Sequence, residues 1–380
     1  MTILKATRWM LGISCLALMA CGESSQVAAQ SVSDAPDTPF KLATFESNGV
    51  ERVGLVLDER ILDIAAANEQ LAAEAGLSSV TMPGEMRTLI EDYESVRGRL
   101  YQIANYYSEK GSDSLEFAYD IESVSIEAPI KYPWNIVAAA ANYKAHATGM
   151  AAEAGSEPGE QPAAPRRGGF DASRVAEIVP ERDAPVMFAK SPRSCIIASG
   201  EPYYIPPGRE RIDWEGEMAI IIGKPAYLIT NDDAHDYVFG YSIMYDMSDR
   251  GGRTREVSMF PGPNWFDSKS TDRCAPFGPY IVPKEFLANF ENLRLVTKVN
   301  GEVMQDQTTA DLIWNEANLV RYTTSILTLY PGDVIATGTP SGTGAERGQF
   351  LKPGDVVTIE LEGVGILETP IEAYQGDSGR

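Results

Sequence analysis

The stretch Asp213-Trp214-Glu215-Gly216-Glu217-Met218-Ala219-Ile220-Ile221-Ile222-Gly223 places three alternating carboxylates directly ahead of an apolar run. On an extended strand, side chains two apart share a face, so Asp213, Glu215 and Glu217 are expected to point the same way. Like charges on one face repel, and a buried, unpaired carboxylate either costs free energy or shifts toward its neutral form. A hard divalent cation removes the conflict, because Mg²⁺ takes oxygen ligands and is held by a few carboxylates together with water and substrate. The bland alternative is a solvated acidic edge before a core strand. The stretch alone leaves both readings open.

Other chemistry-bearing residues cluster at the ends of strand-like segments. The strand-like run Ile136 to Ala141 delivers Asn142, Tyr143, Lys144 and His146 at its end, where loop residues often carry function. A lone histidine is more often a surface or satisfied core residue than a catalytic one. The second histidine, His235, sits in a polar run that reads as a surface turn or helix start. VMFAKSPRSCI supplies Lys190, YVFGYSIMYDMSDR supplies Asp246 and Arg250, and NWFDSKSTDRCAPFGPYIV supplies Lys269. ATGTPSGTG lacks the Lys-Ser/Thr of a phosphate loop, and no dinucleotide glycine fingerprint follows a strand, so nucleotide binding is rejected. That loop either lines a small-molecule site with its N–H groups and the Thr339 hydroxyl, or is a plain turn. There is no Cys-x-x-Cys or His-Glu-x-x-His pattern for zinc, and an all-carboxylate set favours Mg²⁺, Mn²⁺ or Ca²⁺. Without a G-x-S-x-G elbow, a serine-nucleophile mechanism is disfavoured.

The rest of the chain bounds the setting. Among 380 residues, 32 Lys and Arg face 54 Asp and Glu, which argues against nucleic acid or an anionic membrane surface as partner. Lys5 and Arg8 precede a short apolar run, Trp9 to Ala20, that suits a signal-peptide core rather than a spanning helix. Its end, Leu18-Met19-Ala20-Cys21-Gly22, resembles a bacterial lipobox. The expectation is a signal peptide over 1–20 and a lipid on Cys21, holding an exported, periplasmic protein to the outer membrane. The alternative is a secretory signal cut near Ala28-Ala29-Gln30. Residues 21–39 read as a flexible tether. Of the later cysteines, Cys195 and Cys274, an oxidising compartment permits a bridge. Buried free thiols are equally compatible, and no bridge is predicted.

Residues 40–128 form the expected small N-terminal domain, with strands around an Asn48-Gly49 hairpin and a helix over 85–110 ending at Gly111. Residues 129–380 form the expected catalytic domain, interrupted by an Ala-, Gly- and Pro-rich insertion at about 150–184 that is either a lid or disordered. Asn300-Gly301 predicts a second hairpin, and Thr309 is placed to cap a helix over 310–329. Pro-Gly turns introduce the last strands.

The ordered blocks NYKAH, FAKSPRS, DWEGE, GYSIMYDMSDR, WFDSKSTDRCAPFGP, VNGEVMQDQTTADLIW and PGDVIATGTPSGTG resemble those of the fumarylacetoacetate hydrolase family over about 130–373. The resemblance implies an α+β, β-rich fold with a mixed β-roll catalytic domain, usually dimeric, and a divalent metal. By residue, it makes Glu215, Glu217 and Asp246 the metal ligands and His146 the base. Lys269 and Thr339 then contact substrate and Lys190 lines the site, with Tyr143 and Arg250 as further substrate-side candidates. Three positions depart from the pattern. The Glu that often follows the histidine by three residues is Gly149, the usual Asn before the metal-binding Asp is Tyr245, and an Asp after the arginine is Gly251. Glu153, Glu157 and Glu160 in the insertion are candidate replacements as partner for His146. The implied activity is Mg²⁺-dependent hydrolysis of a C–C bond in a β-diketo acid such as an acylpyruvate. Isomerisation or decarboxylation of a 2-keto acid at the same site is the alternative, and a non-catalytic surface ligand-binding lipoprotein a third.

Overall fold

The computed structural model describes residues 32–112, 114–148, 172–251 and 264–376. The expected leader, Cys21, Gly149 and the three insertion glutamates lie outside the described residues. Both Asn-Gly pairs close hairpins as expected. Ser47 pairs with Val50 and Val299 with Glu302, and the four turn residues Asn48, Gly49, Asn300 and Gly301 take positive φ. Two residues in that conformation match the right-handed twist of the flanking strands.

The strands assemble into a mixed, β-rich α+β fold. A twelve-stranded sheet runs from Ala118–Asp120 through Arg60–Asp63, Val50–Leu57 and Lys41–Ser47 to Ala275–Pro283. It continues through Val238–Tyr245, Gly216–Ile222, Val334–Ala336, Ile136–Ala140 and Val186–Lys190. The N-terminal strands join the rest at a single register pair, Leu42 with Ile281. Ile196–Ile197 pairs in parallel with the start of Ala275–Pro283. A five-stranded sheet packs nearby in the order Glu302–Thr308, Arg294–Val299, Val356–Leu361, Gly365–Ala373, Tyr203–Ile205. One apolar cluster runs from Phe40 to Ile371, so the N-terminal helices share a core with the sheets. A polar latch adds to it: Tyr93 and Tyr101 donate to Glu285 Oε1 at 2.5 and 2.7 Å. Among the described residues, no helix is long and apolar enough to cross a membrane.

The glycine inside the carboxylate motif is fixed by packing. Gly216 lies where the two sheets meet, and a Cβ there would fall 2.3 Å from Thr297 Oγ1 and 2.9 Å from Ile359 Cγ2. Its N–H reaches Gln305 Oε1 at 3.2 Å and its carbonyl accepts from the Thr339 hydroxyl at 3.0 Å. Gly216→Ala is therefore expected to destabilise by about 2–3 kcal/mol through overpacking, read as a lower denaturation midpoint with unchanged slope.

Two helix predictions are corrected. The expected helix over 85–110 is two, Met86–Glu91 and Tyr93–Lys110, broken at Asp92, whose N–H turns back to the Thr88 and Ile90 carbonyls. Gly111 does close the second. Thr309 caps no long helix. It opens the 3₁₀ turn Thr309–Asp311 and its hydroxyl bonds the Phe290 carbonyl. The helix is Glu316–Thr324, capped by a reciprocal Asn315–Asn318 pair. Ile313 and Trp314 are held instead by Asn142, whose carbonyl accepts from Ile313 N at 2.7 Å and whose side-chain oxygen accepts from Trp314 N at 2.8 Å. Within the insertion, the described residues from 172 pack back on this region: Pro180 and Asp183 accept from Arg321 and Trp314.

Candidate metal centre and active site

The three carboxylates of the opening motif do not share one role. Ile212–Asp213 belongs to a separate two-stranded sheet with Ser248–Asp249, and the chain is irregular at Trp214 and Glu215 before Gly216–Ile222 begins. That break turns Asp213 away. Its oxygens accept from the backbone N–H groups of Trp214, Gly344 and Ala345 and from Arg250 Nε, at 2.5–3.1 Å. Glu215 and Glu217 stay together and are met by Asp246, which follows the paired strand Val238–Tyr245. One oxygen from each lies within 4.8 Å of the other two, and all three residues are buried. The sequence-derived ligand set is thus brought to one point.

The charges around the triad are unevenly shared. Lys190 Nζ donates to Asp246 Oδ1 at 2.6 Å, and Lys269 Nζ bridges Glu215 Oε2 at 2.7 Å and Asp246 Oδ2 at 2.5 Å. Arg250 donates to Glu215 Oε1, which also accepts from the Ser248 hydroxyl. Among the described residues, none of these cations pairs with Glu217, whose Oε2 accepts from Gly338 N at 2.7 Å. Burial, reinforced by Asp246 and Glu215, pushes the Glu217 carboxyl well above the ordinary range. Burial works the same way on Glu215, but Arg250, Lys269 and His146 outweigh it and hold that carboxyl low. An all-oxygen, buried triad with one uncompensated member fits a hard divalent cation, which would supply the missing positive charge.

A consequence follows for pH. Glu217 favours its proton, and a cation binds the carboxylate, so binding must release that proton. Affinity for Mg²⁺ or Mn²⁺ is expected to rise with pH until the raised Glu217 value is passed, as titration calorimetry between about pH 5.5 and 8.5 would read. A flat profile would contradict the assignment of Glu217.

His146 is buried on the helical turn at 144–148 and has a partner after all. Its Nδ1 lies 2.6 Å from Glu346 Oε1, on the short helix Gly344–Arg347. Glu346 Oε2 accepts from Gly342 N and Thr343 N, so the carboxylate is fixed on both sides. Burial opposes its ionisation, but the His146 contact prevails and lowers it. Sequence reasoning looked for this partner near position 149 and missed it. The signal present was Thr343 to Glu346, a capping-box spacing that places a Glu at a fixed point of the glycine-rich loop.

The remaining candidates are all engaged in hydrogen bonds or burial. Thr339 gives its proton to Gly216 O and accepts from Gln305 Nε2 at 2.8 Å, so the ATGTPSGTG loop is tied to the carboxylate motif. Tyr143 is fully buried, its hydroxyl has no hydrogen-bond partner among the described residues, and burial with Glu217 nearby pushes its ionisation up. The Lys269 ammonium lies 5.0 Å from the Phe188 ring centroid, and Phe188 packs on the partly exposed Trp265. Tyr245, at one departure from the family pattern, donates to the Asp213 carbonyl at 3.2 Å. Gly251, at another, sends its N–H to Asp249 Oδ1. His235 pairs with Glu316 at 2.8 Å on the 3₁₀ turn Ala234–Tyr237 and joins no member of the triad.

Fold and site together define a β-rich protein with a buried carboxylate centre that can hold a divalent cation, flanked by two lysines and a histidine–glutamate pair. Residues 135–372 match the family model described as fumarylacetoacetate (FAA) hydrolase C-terminal, and the chain belongs to that family. It is 31% identical to an oxaloacetate tautomerase of Bacillus subtilis over 87% of this chain and 100% of the relative. It is 28% identical to a mitochondrial oxaloacetate tautomerase of Xenopus laevis over 90% of this chain and 93% of the relative. Among solved structures it resembles maleylpyruvate hydrolase from Sphingobium sp. SYK-6 in complex with manganese(II) and pyruvate, with TM-score 0.61 and 27% identity, covering 88% of this chain and 100% of that one. Members of the family act on small keto acids as hydrolases, isomerases and tautomerases.

Proposed function

We propose that this protein is a divalent-metal-dependent hydrolase that cleaves a C–C bond in a small β-diketo acid of the acylpyruvate type. The observation that carries the reading is the His146–Glu346 pair beside the triad, since hydrolysis needs a base to activate water. Glu346 is held as a carboxylate, so Nδ1 of His146 carries the proton and donates, leaving Nε2 to accept a proton from water. Such a base contributes about 10²–10⁴-fold. A cation held by Glu215, Glu217 and Asp246, with Mg²⁺ first and Mn²⁺ or Ca²⁺ as alternatives, would supply Lewis-acid polarisation of the substrate's keto and carboxylate oxygens. Lys269 keeps an ammonium group where oxyanion charge develops. Lys190, fully buried against Asp246, orients that carboxylate.

A second reading is keto–enol interconversion or decarboxylation of an oxaloacetate-type acid, favoured by the near full-length likeness to the two oxaloacetate tautomerases. The same base would then shuttle a proton between carbon and oxygen. Incubating the protein with an acylpyruvate and, separately, with oxaloacetate, each with and without Mg²⁺ or Mn²⁺, distinguishes them. Metal-dependent release of pyruvate from the acylpyruvate supports hydrolysis. Accelerated ketonisation or CO₂ release from oxaloacetate alone supports the second, and binding of both without turnover supports a surface ligand-binding lipoprotein. The setting proposed for this activity is an exported homodimer anchored through Cys21. Retention of a Cys21→Ala variant in the membrane fraction would contradict the anchor.

A further inference from the structure

Two thiols lie beneath the candidate site. Cys195 ends the short helix Pro192–Cys195 and Cys274 immediately precedes Ala275–Pro283. Both are free and fully buried, with Sγ atoms 3.2 Å apart. The residues that follow them, Ile196 and Ala275, are direct partners in a parallel ladder. Neighbouring strands run about 4.8 Å apart, inside the Cα separation of about 4.4–6.8 Å that a disulfide accepts. The surrounding backbone is already fastened: Arg273 N donates to Ser194 O at 2.7 Å, and Ser191 N to Ser270 Oγ at 3.3 Å. Cys274 Sγ contacts Lys269 O at 3.2 Å and Cys195 Sγ contacts Thr271 O at 3.4 Å. The two segments joined in this way are the ones that present Lys190 and Lys269 to the carboxylates.

We infer that Cys195 and Cys274 are a disulfide-forming pair that staples the Lys190 segment to the Lys269 segment. The bridge would close a loop of 79 positions, and long loops lose the most unfolded-state freedom when cross-linked. The co-reactant is a small-molecule or protein disulfide. One cysteine thiolate attacks a sulfur of that disulfide and expels one thiolate. The other, deprotonated, then attacks the mixed disulfide and expels the second. Two protein thiols are oxidised and one external disulfide is reduced to two thiols. Because both side chains are shielded in the folded chain, exchange belongs to the folding chain or to a locally opened state.

The test refolds the full chain from denaturant in a mixture of oxidised and reduced glutathione, alkylates remaining thiols and maps peptides without reduction. The expected result is a peptide pair cross-linked through Cys195 and Cys274, two hydrogens lighter than its reduced parts. The midpoint of thermal unfolding should be about 5 °C higher than for the same sample in reductant. Cys195→Ala and Cys274→Ala should each unfold at one temperature regardless of reductant. Alkylation of both cysteines, or glutathione adducts in place of the cross-link, would overturn the inference. A cross-link without a thermal shift would overturn the staple. The mapping uses only the natural sequence, so a variant that fails to fold does not remove the test.

Discussion

Glu217→Gln is expected to cost about 10³-fold or more in kcat/KM while leaving a folded protein. Unlike Glu215 and Asp246, Glu217 accepts no hydrogen bond from a lysine or arginine among the described residues, so its carboxylate is the one that most needs the metal. Gln keeps the volume and an oxygen for Gly338 N but cannot ionise to give the cation a carboxylate. The metal-free variant is therefore expected to unfold at about the same temperature as the wild type, because Gln is close in shape and polarity to the neutral carboxyl that burial favours there. The metal response should separate them. A saturating divalent cation stabilises the wild type by mass action, by about 2.7 kcal/mol at one hundred times the dissociation constant, and should leave the variant nearly unmoved. Full turnover by Glu217→Gln at saturating Mn²⁺ would remove the metal assignment.

Glu346→Gln tests the other half of the site. The amide can still accept from Thr343 N, but it cannot stabilise a protonated His146. A fall in kcat of about 10²–10³-fold is expected, with metal affinity unchanged, since Glu346 touches none of the three ligands in the structure. Glu346→Asp keeps the charge but shortens the reach, and should recover part of the loss. If Glu346 only braced the glycine-rich loop, the Gln variant would show a lower unfolding temperature at wild-type kcat.

The difference between these two residues in legibility is physical. Glu217 could be read from the sequence because a strand's two-residue period and an apolar continuation place it beside Glu215 without knowledge of the rest of the fold. Asp246 and the two lysines needed the ordered blocks, since nothing local says that strand ends far apart in sequence converge. Glu346 was beyond both routes, because it lies 200 positions from His146 and the family pattern directed attention to Gly149. The same local logic overreached at Asp213. Period-two alternation treats the motif as one strand, but the ladder partner of Asp213 is Ser248 in another sheet, and the backbone turns between them. The helices show a similar limit. Apolar spacing found the buried face of the N-terminal helices but placed Ile326, which is exposed, on the buried side of the later one, and the ends were set by Asp92 and by the Asn142 contacts to Ile313 and Trp314, which periodicity does not encode.

The meeting of Leu42 with Ile281 has a consequence for solubility. Along its outer side, Ala275–Pro283 is covered first by Ile196–Ile197 and further on by the N-terminal strand Lys41–Ser47. A strand left bare there would offer unpaired N–H and C=O groups to any other chain. Removing residues 40–128 would strip the second cover, together with the helices that share the core. The shortened protein is therefore expected to self-associate through that rim as well as lose stability. Among the described residues, none of the N-terminal segment belongs to the carboxylate triad or the His146–Glu346 pair, yet the segment guards an open border of the sheet against strangers.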